Sequence, residues 1–109
     1  MHMADNLKNK NDFVELSPET LEMVSQTFKA LGDPTRIRIL YLLSQQECSV
    51  NEIADRLKLN QSTVSHQLRN LKNLNLIKKR REATTFYYSP DDQHVLDLLT
   101  KSIEHSLHC

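Results

Sequence analysis

Residues 49–74, SVNEIADRLKLNQSTVSHQLRNLKNL, decide the reading of this chain. Ser49 and Glu52 stand three apart, the spacing at which a hydroxyl and a carboxylate satisfy each other's exposed backbone donors at a helix start. A short helix of about two turns follows, with Ile53, Ala54 and Leu57 on its inward face. After Lys58, Leu59 and Asn60, a longer helix over residues 61–74 buries Val64, Leu68, Leu71 and Leu74 and leaves Ser62, Thr63, Ser65, His66 and Arg69 on a polar face. A short helix, a tight turn and a longer helix with small polar side chains at its start form the arrangement that reads DNA: the second helix enters the major groove and the first braces it. Hydroxyls near a helix N-terminus bond phosphates or base edges, His66 can do either, and Arg69 and Lys72 stand where they approach the backbone.

Working outward, Ser17-Pro18-Glu19 places a capping hydroxyl before a proline at the first helical position, and Leu21, Val24, Phe28 and Leu31 follow at helical spacing. Asp33-Pro34 repeats the device and opens a second helix with Ile37, Leu40, Tyr41 and Leu43 as its buried stripe. Downstream, residues 77–81 and 84–89 are rich in β-branched and aromatic types and predict two strands joined near Glu82-Ala83. Lys78, Lys79, Arg80 and Arg81 put four cations on the first strand, a wing that adds phosphate contacts. Pro90-Asp91-Asp92 opens a last helix whose acids suit its positive end, with Val95, Leu98, Leu99 and Ile103 as the apolar face. The expected fold is mainly α with a small β-hairpin, a winged helix-turn-helix in the order α-α-α-α-β-β-α.

The 109 residues fit one domain, placed at residues 16–109 behind a disordered N-terminal segment, residues 1–15. Met1-His2-Met3 reads as a cloning remnant. No stretch approaches the roughly 20 apolar residues of a membrane span, and the polar start lacks a secretory core, so the expected location is the cytosol. The formal net charge is zero, yet residues 34–81 carry ten Lys or Arg against three acids, while the flanking segments are acidic. Such segregation gives one face the footprint phosphate binding needs, although charge alone also fits an ordinary solvated surface. A monomer this small reads only a few base pairs. The amphipathic first and last helices, which the helix-turn-helix does not need, therefore predict a homodimer on a pseudo-palindromic operator.

The last helix also carries Asp92, His94, His105 and His108, an oxygen and nitrogen set that suits Zn2+, Co2+ or Ni2+. His105 and His108 share a helix face, whereas His94 and His105 are nearly in phase but separated by roughly 16 Å along the axis. One chain cannot close such a site. Two copies packed antiparallel about a two-fold axis bring Asp92 and His94 of one to His105 and His108 of the other, provided Asp92 sits at or before the first turn. Taken singly, each histidine is better read as solvent-exposed; the two spaced pairs on one interface helix turn the reading toward a metal site. Cys48 and Cys109 form no spaced framework; Cys48 reads as a small buried hydrophobe and Cys109 as part of a flexible terminus.

Residues 28–40, FKALGDPTRIRIL, and residues 61–68, QSTVSHQL, together with the Asp-x-His and His-x-x-His of the last helix, resemble the ArsR/SmtB family of bacterial metalloregulators across nearly the whole chain from Leu16. The C-terminal pattern is similar to the family's CzrA-type, zinc- and cobalt-sensing branch. The resemblance implies a homodimeric repressor of metal efflux or sequestration genes, with Gln61 joining the DNA-reading residues. It also implies interhelical metal sites built from Asp92, His94, His105 and His108, and release of DNA when metal binds. Two departures stand out: only Cys48 of a cysteine-pair site is present, and Ala83 occupies the wing turn where the family often has glycine. The alternative is a repressor that senses thiol oxidation through Cys48 or Cys109. A zinc hydrolase is disfavoured because four protein ligands leave no open position for water. A zinc that only holds the dimer together stays open.

Overall fold

The computed structural model describes residues 12–108. Residues 1–11, most of the N-terminal segment expected to be disordered, and Cys109 lie outside the described residues. The elements run α1 (Pro18–Leu31), α2 (Pro34–Gln45), α3 (Val50–Leu57), α4 (Gln61–Asn73), β1 (Ile77–Glu82), β2 (Thr85–Pro90) and α5 (Gln93–Leu107). This is the expected order. The strands pair antiparallel from Ile77 opposite Pro90 to Glu82 opposite Thr85, which places the turn at Ala83 and Thr84, one residue later than the sequence suggested.

Local signals set most helix starts. Ser17 accepts from the backbone N–H of Thr20 and is followed by Pro18 at the first turn of α1. The Ser49–Glu52 box forms as expected, with Glu52 N–H donating to Ser49 Oγ at 3.2 Å and Ser49 N–H donating to Glu52 Oε1 at 2.9 Å. Asp33 occupies the N-cap of α2 without a side-chain capping hydrogen bond; its carboxylate instead forms an ion pair with Arg36, 3.4 Å from Nε. Asn60, expected in the turn, caps α4 by accepting from Thr63 N–H at 2.8 Å.

The core gathers Ala30 of α1, Ile39, Leu40 and Leu43 of α2, Ile53 and Ala54 of α3, Val64, Leu68 and Leu71 of α4, and Leu99 of α5, closed by Cys48, Leu76 and Ile77. Tyr41, expected in the α2 stripe, is 49% exposed because Ile39 and Leu40 turn inward and leave it on the flank. Leu98, expected on the buried face of α5, also reaches the surface. The first helix is the anomaly. Of its 14 residues only Ala30 is buried, and Leu21 and Phe28 are 53% and 56% exposed, with Val24 exposed between them on the same helical stripe. The helix is thus weakly seated on the core and leaves an apolar stripe uncovered.

Candidate nucleic-acid interface and metal-ligand sites

The polar face of α4 stands clear of the core. Val64, Leu68 and Leu71 fix the inward side, which leaves Gln61, Ser62, His66 and Arg69 exposed and Thr63 and Ser65 half-buried at the rim. Ser62 Oγ donates to Asn60 Oδ1 at 2.8 Å, which leaves its oxygen to act as an acceptor. His66 Nε2 lies 3.5 Å from Asn70 Nδ2. Gln67 accepts from Arg36 Nε at 2.8 Å and ties α4 to α2, a link 31 residues long that sequence spacing could not reveal.

The wing is anchored from two directions. Cys48 forms a β-bridge with Tyr88, its N–H donating to Tyr88 O at 3.2 Å and its O accepting from Tyr88 N–H at 2.8 Å. Arg80 donates from Nε to both oxygens of Glu47, at 2.9 and 3.0 Å, and from Nη1 to Glu82 at 3.1 Å. Its guanidinium also lies 4.9 Å from the centroid of the Tyr87 ring. Hydrogen bonds from Arg80 to Glu47 and then Glu82 hold the guanidinium above its ordinary pKa. Arg81 Nε donates to Ala83 O at 2.8 Å. The wing turn has a cost. Ala83 adopts φ 57°, whereas Thr84 is not among the positive-φ residues. Glycine ordinarily stands at such a first turn position.

On α5, Asp92 is the N-cap, which meets the condition the sequence imposed: it precedes the first turn rather than pointing away from His94 within it. Its Oδ1 accepts from Val95 N–H at 3.1 Å and lies 3.9 Å from His94 Nδ1, with His94 fully exposed. His105 and His108 stand exposed at the opposite end of the helix. His94, Leu98, His105 and His108 recur at intervals of four, seven and three, a surface stripe roughly a third of a turn from the inward residues Val95, Leu99 and Ile103. No three potential ligands come together within the single chain among the described residues. The four candidate side chains are thus divided between the two ends of α5, Asp92 with His94 at one and His105 with His108 at the other.

Cys48 is fully buried, and burial pushes its thiol above the ordinary range, with Arg56 opposing the shift. Its sulfur accepts from Arg56 Nη1 at 3.3 Å. A thiol so enclosed and so protonated is a poor oxidant sensor, which disfavours the redox alternative at Cys48.

Against known proteins, the profile of the bacterial regulatory protein, arsR family, matches residues 33–79. The chain is 41% identical over 97 residues to a Staphylococcus aureus homolog of the cadmium resistance transcriptional regulatory protein CadC, covering 88% of this chain and 78% of that one. The chain belongs to the ArsR family. A Synechocystis homolog of the transcriptional repressor SmtB is 38% identical over 90 residues, covering 83% of this ArsR-family chain and 68% of its own length. Among solved structures, the homodimeric winged helix-turn-helix DNA-binding domain of Mb0332 from Mycobacterium bovis superposes with a TM-score of 0.75 at 32% identity, over 86% of this chain and 90% of that domain. This ArsR-family member is thus a winged helix-turn-helix transcriptional regulator rather than an enzyme, and no described helix is long and apolar enough to cross a membrane.

Proposed function

We propose that the protein is a homodimeric repressor that holds pseudo-palindromic operator DNA through α4 and releases it when Zn2+, or the chemically similar Co2+ or Ni2+, bridges the two α5 helices. Gln61, Ser62, Thr63, Ser65 and His66 read base edges and nearby phosphates, with Arg69 and Arg81 beside the backbone. The observation that carries this reading is the division of α5: Asp92 with His94 at one end, His105 with His108 at the other, and apolar Leu98 exposed on the stripe between them. Antiparallel packing of two copies completes two equivalent four-ligand sites. A bound ion would supply a fixed crosslink between subunits, and four protein ligands suit that role better than hydrolysis.

The exposed stripe of α1 supports the dimer, and the name of the cadmium resistance relative supports a metal as the signal. The CzrA-type pattern of Asp92, His94, His105 and His108 supports Zn2+ or Co2+ over thiolate-seeking ions. Metal and DNA then oppose each other, and linkage requires DNA to weaken metal binding by the same factor. The test is fluorescence anisotropy on a promoter fragment at fixed salt, with and without zinc. Tight binding that zinc weakens in the wild type but not in His105→Ala is the expected result. Tight binding indifferent to zinc makes the ligand cluster structural and rejects metal release.

A further inference from the structure

Between α4 and the wing lies a cleft of about 320 Å³. Arg69 and Lys72 line it from α4, Lys79 and Tyr88 from the wing, and Leu68 and Ser65 lie between. No carboxylate lines it. The geometry points to this cleft as the seat of the DNA sugar–phosphate backbone, held by Arg69, Lys72 and Lys79, with Arg80 acting as a strut for the wing instead of touching phosphate. This rests on the DNA-binding reading above and sorts the wing cations that the sequence left equivalent.

Pairing separates the two kinds of cation. Arg36 faces Asp33, Arg56 faces Glu52, Lys101 faces Glu104 and Arg80 faces both Glu47 and Glu82. Among the described residues no carboxylate lies within ion-pair distance of Arg69, Lys72 or Lys79. Three cations without counter-charges around one concave, carboxylate-free surface focus positive potential there. Strand alternation explains the division on the wing. Ile77 is buried and Lys79 lines the cleft, so that face of β1 turns toward α4, together with Phe86 and Tyr88 of β2. Lys78 and Arg80 occupy the other face, where Glu47 and Glu82 pair with Arg80 but not with Lys78.

The cleft is also held in shape. The Lys79 ammonium sits 4.5 Å from the Phe86 ring centroid, a contact that orients the charge without neutralising it. Tyr88, which lines the cleft with Ser65, is fixed through its backbone to Cys48. Arg80 is pulled away by three carboxylate oxygens of Glu47 and Glu82, and leaving them for a phosphate would exchange one anion for another.

The experiment uses the full chain and a fluorescein-labelled random-sequence duplex, with affinity measured across roughly 50 to 200 mM salt. The slope of log affinity on log salt counts phosphates neutralised, about 0.9 for each. Lys72→Gln/Lys79→Gln should lower the slope by about 2 for every bound subunit, and Arg69→Gln by about 1. Arg80→Gln should leave the slope unchanged while weakening binding, and Glu47→Gln/Arg80→Gln should be no weaker than either single variant, as expected for one shared contact. An unchanged slope in the double-lysine variant, or a slope reduced by Arg80→Gln, overturns the assignment while DNA binding itself stands. A wild-type chain that binds no duplex overturns the reading beneath it as well.

Discussion

Phe28 offers the sharpest perturbation of the proposed dimer. It is 56% exposed on a helix that buries only Ala30 in its own subunit. An aromatic side chain presents about 200 Å². The uncovered part is thus about 110 Å², close to 3 kcal/mol at about 25 cal/mol per Å² if a partner covers it. Phe28→Ala keeps a methyl and loses about 2 kcal/mol of that; because a two-fold dimer removes the side chain twice, dimerisation should weaken by about 4 kcal/mol, a factor of about a thousand. Sedimentation equilibrium over a range of protein concentrations reads this directly, and circular dichroism checks that the helices persist. A variant whose dimer dissociation constant matches the wild type, or a wild type that sediments as a monomer throughout, refutes the assignment of α1 to the interface.

Three further outcomes follow from individual residues. Ala83→Gly relieves a left-handed alanine that costs roughly 1–2 kcal/mol, offset in part by the extra freedom of glycine in the unfolded chain; urea titration should show a gain of about 0.5–1 kcal/mol, and a loss would mean the turn is not strained. Gln67→Ala removes the acceptor of Arg36 and should cost about 1 kcal/mol in the same assay, so an unchanged midpoint would show that the link is idle. Cys48, buried and held protonated, should resist alkylation at neutral pH until the protein unfolds, as followed by peptide mass; rapid labelling of the folded chain would revive the thiol-sensing alternative.

What the sequence made legible was local. Ser49 with Glu52 and the period of Val64, Leu68 and Leu71 act over one or two turns, so the helix-turn-helix could be read from spacing alone. Asn60 was equally readable as a cap, since asparagine before a periodic stretch is a common helix start. Long-range pairings were hidden: Glu47 with Arg80 and Arg36 with Gln67 span more than thirty residues, and nothing in either segment names its partner. For the same reason four consecutive wing cations looked alike, although strand alternation sends them to opposite faces. Tyr41 misled because helical period allows it inward while packing of Ile39 and Leu40 turns it out. Spacing singles out Asp92 and His94 as candidates, and it requires Asp92 to lie at or before the first turn, which its N-cap position meets. The second half of their proposed site belongs to another copy of the chain, which the described chain by itself does not contain.

The claim that the metal site is shared between subunits is tested most directly by zinc stoichiometry in mixed dimers. Asp92→Ala/His94→Ala subunits and His105→Ala/His108→Ala subunits each lack half of every site, so neither homodimer should bind zinc tightly. After subunit exchange at equal amounts, half of the dimers are mixed and each of those holds one intact site of two, so tight binding should return to about a quarter of the wild-type stoichiometry. Tight zinc binding by either variant alone, or none after exchange, would contradict a site built from the two ends of α5 across the dimer.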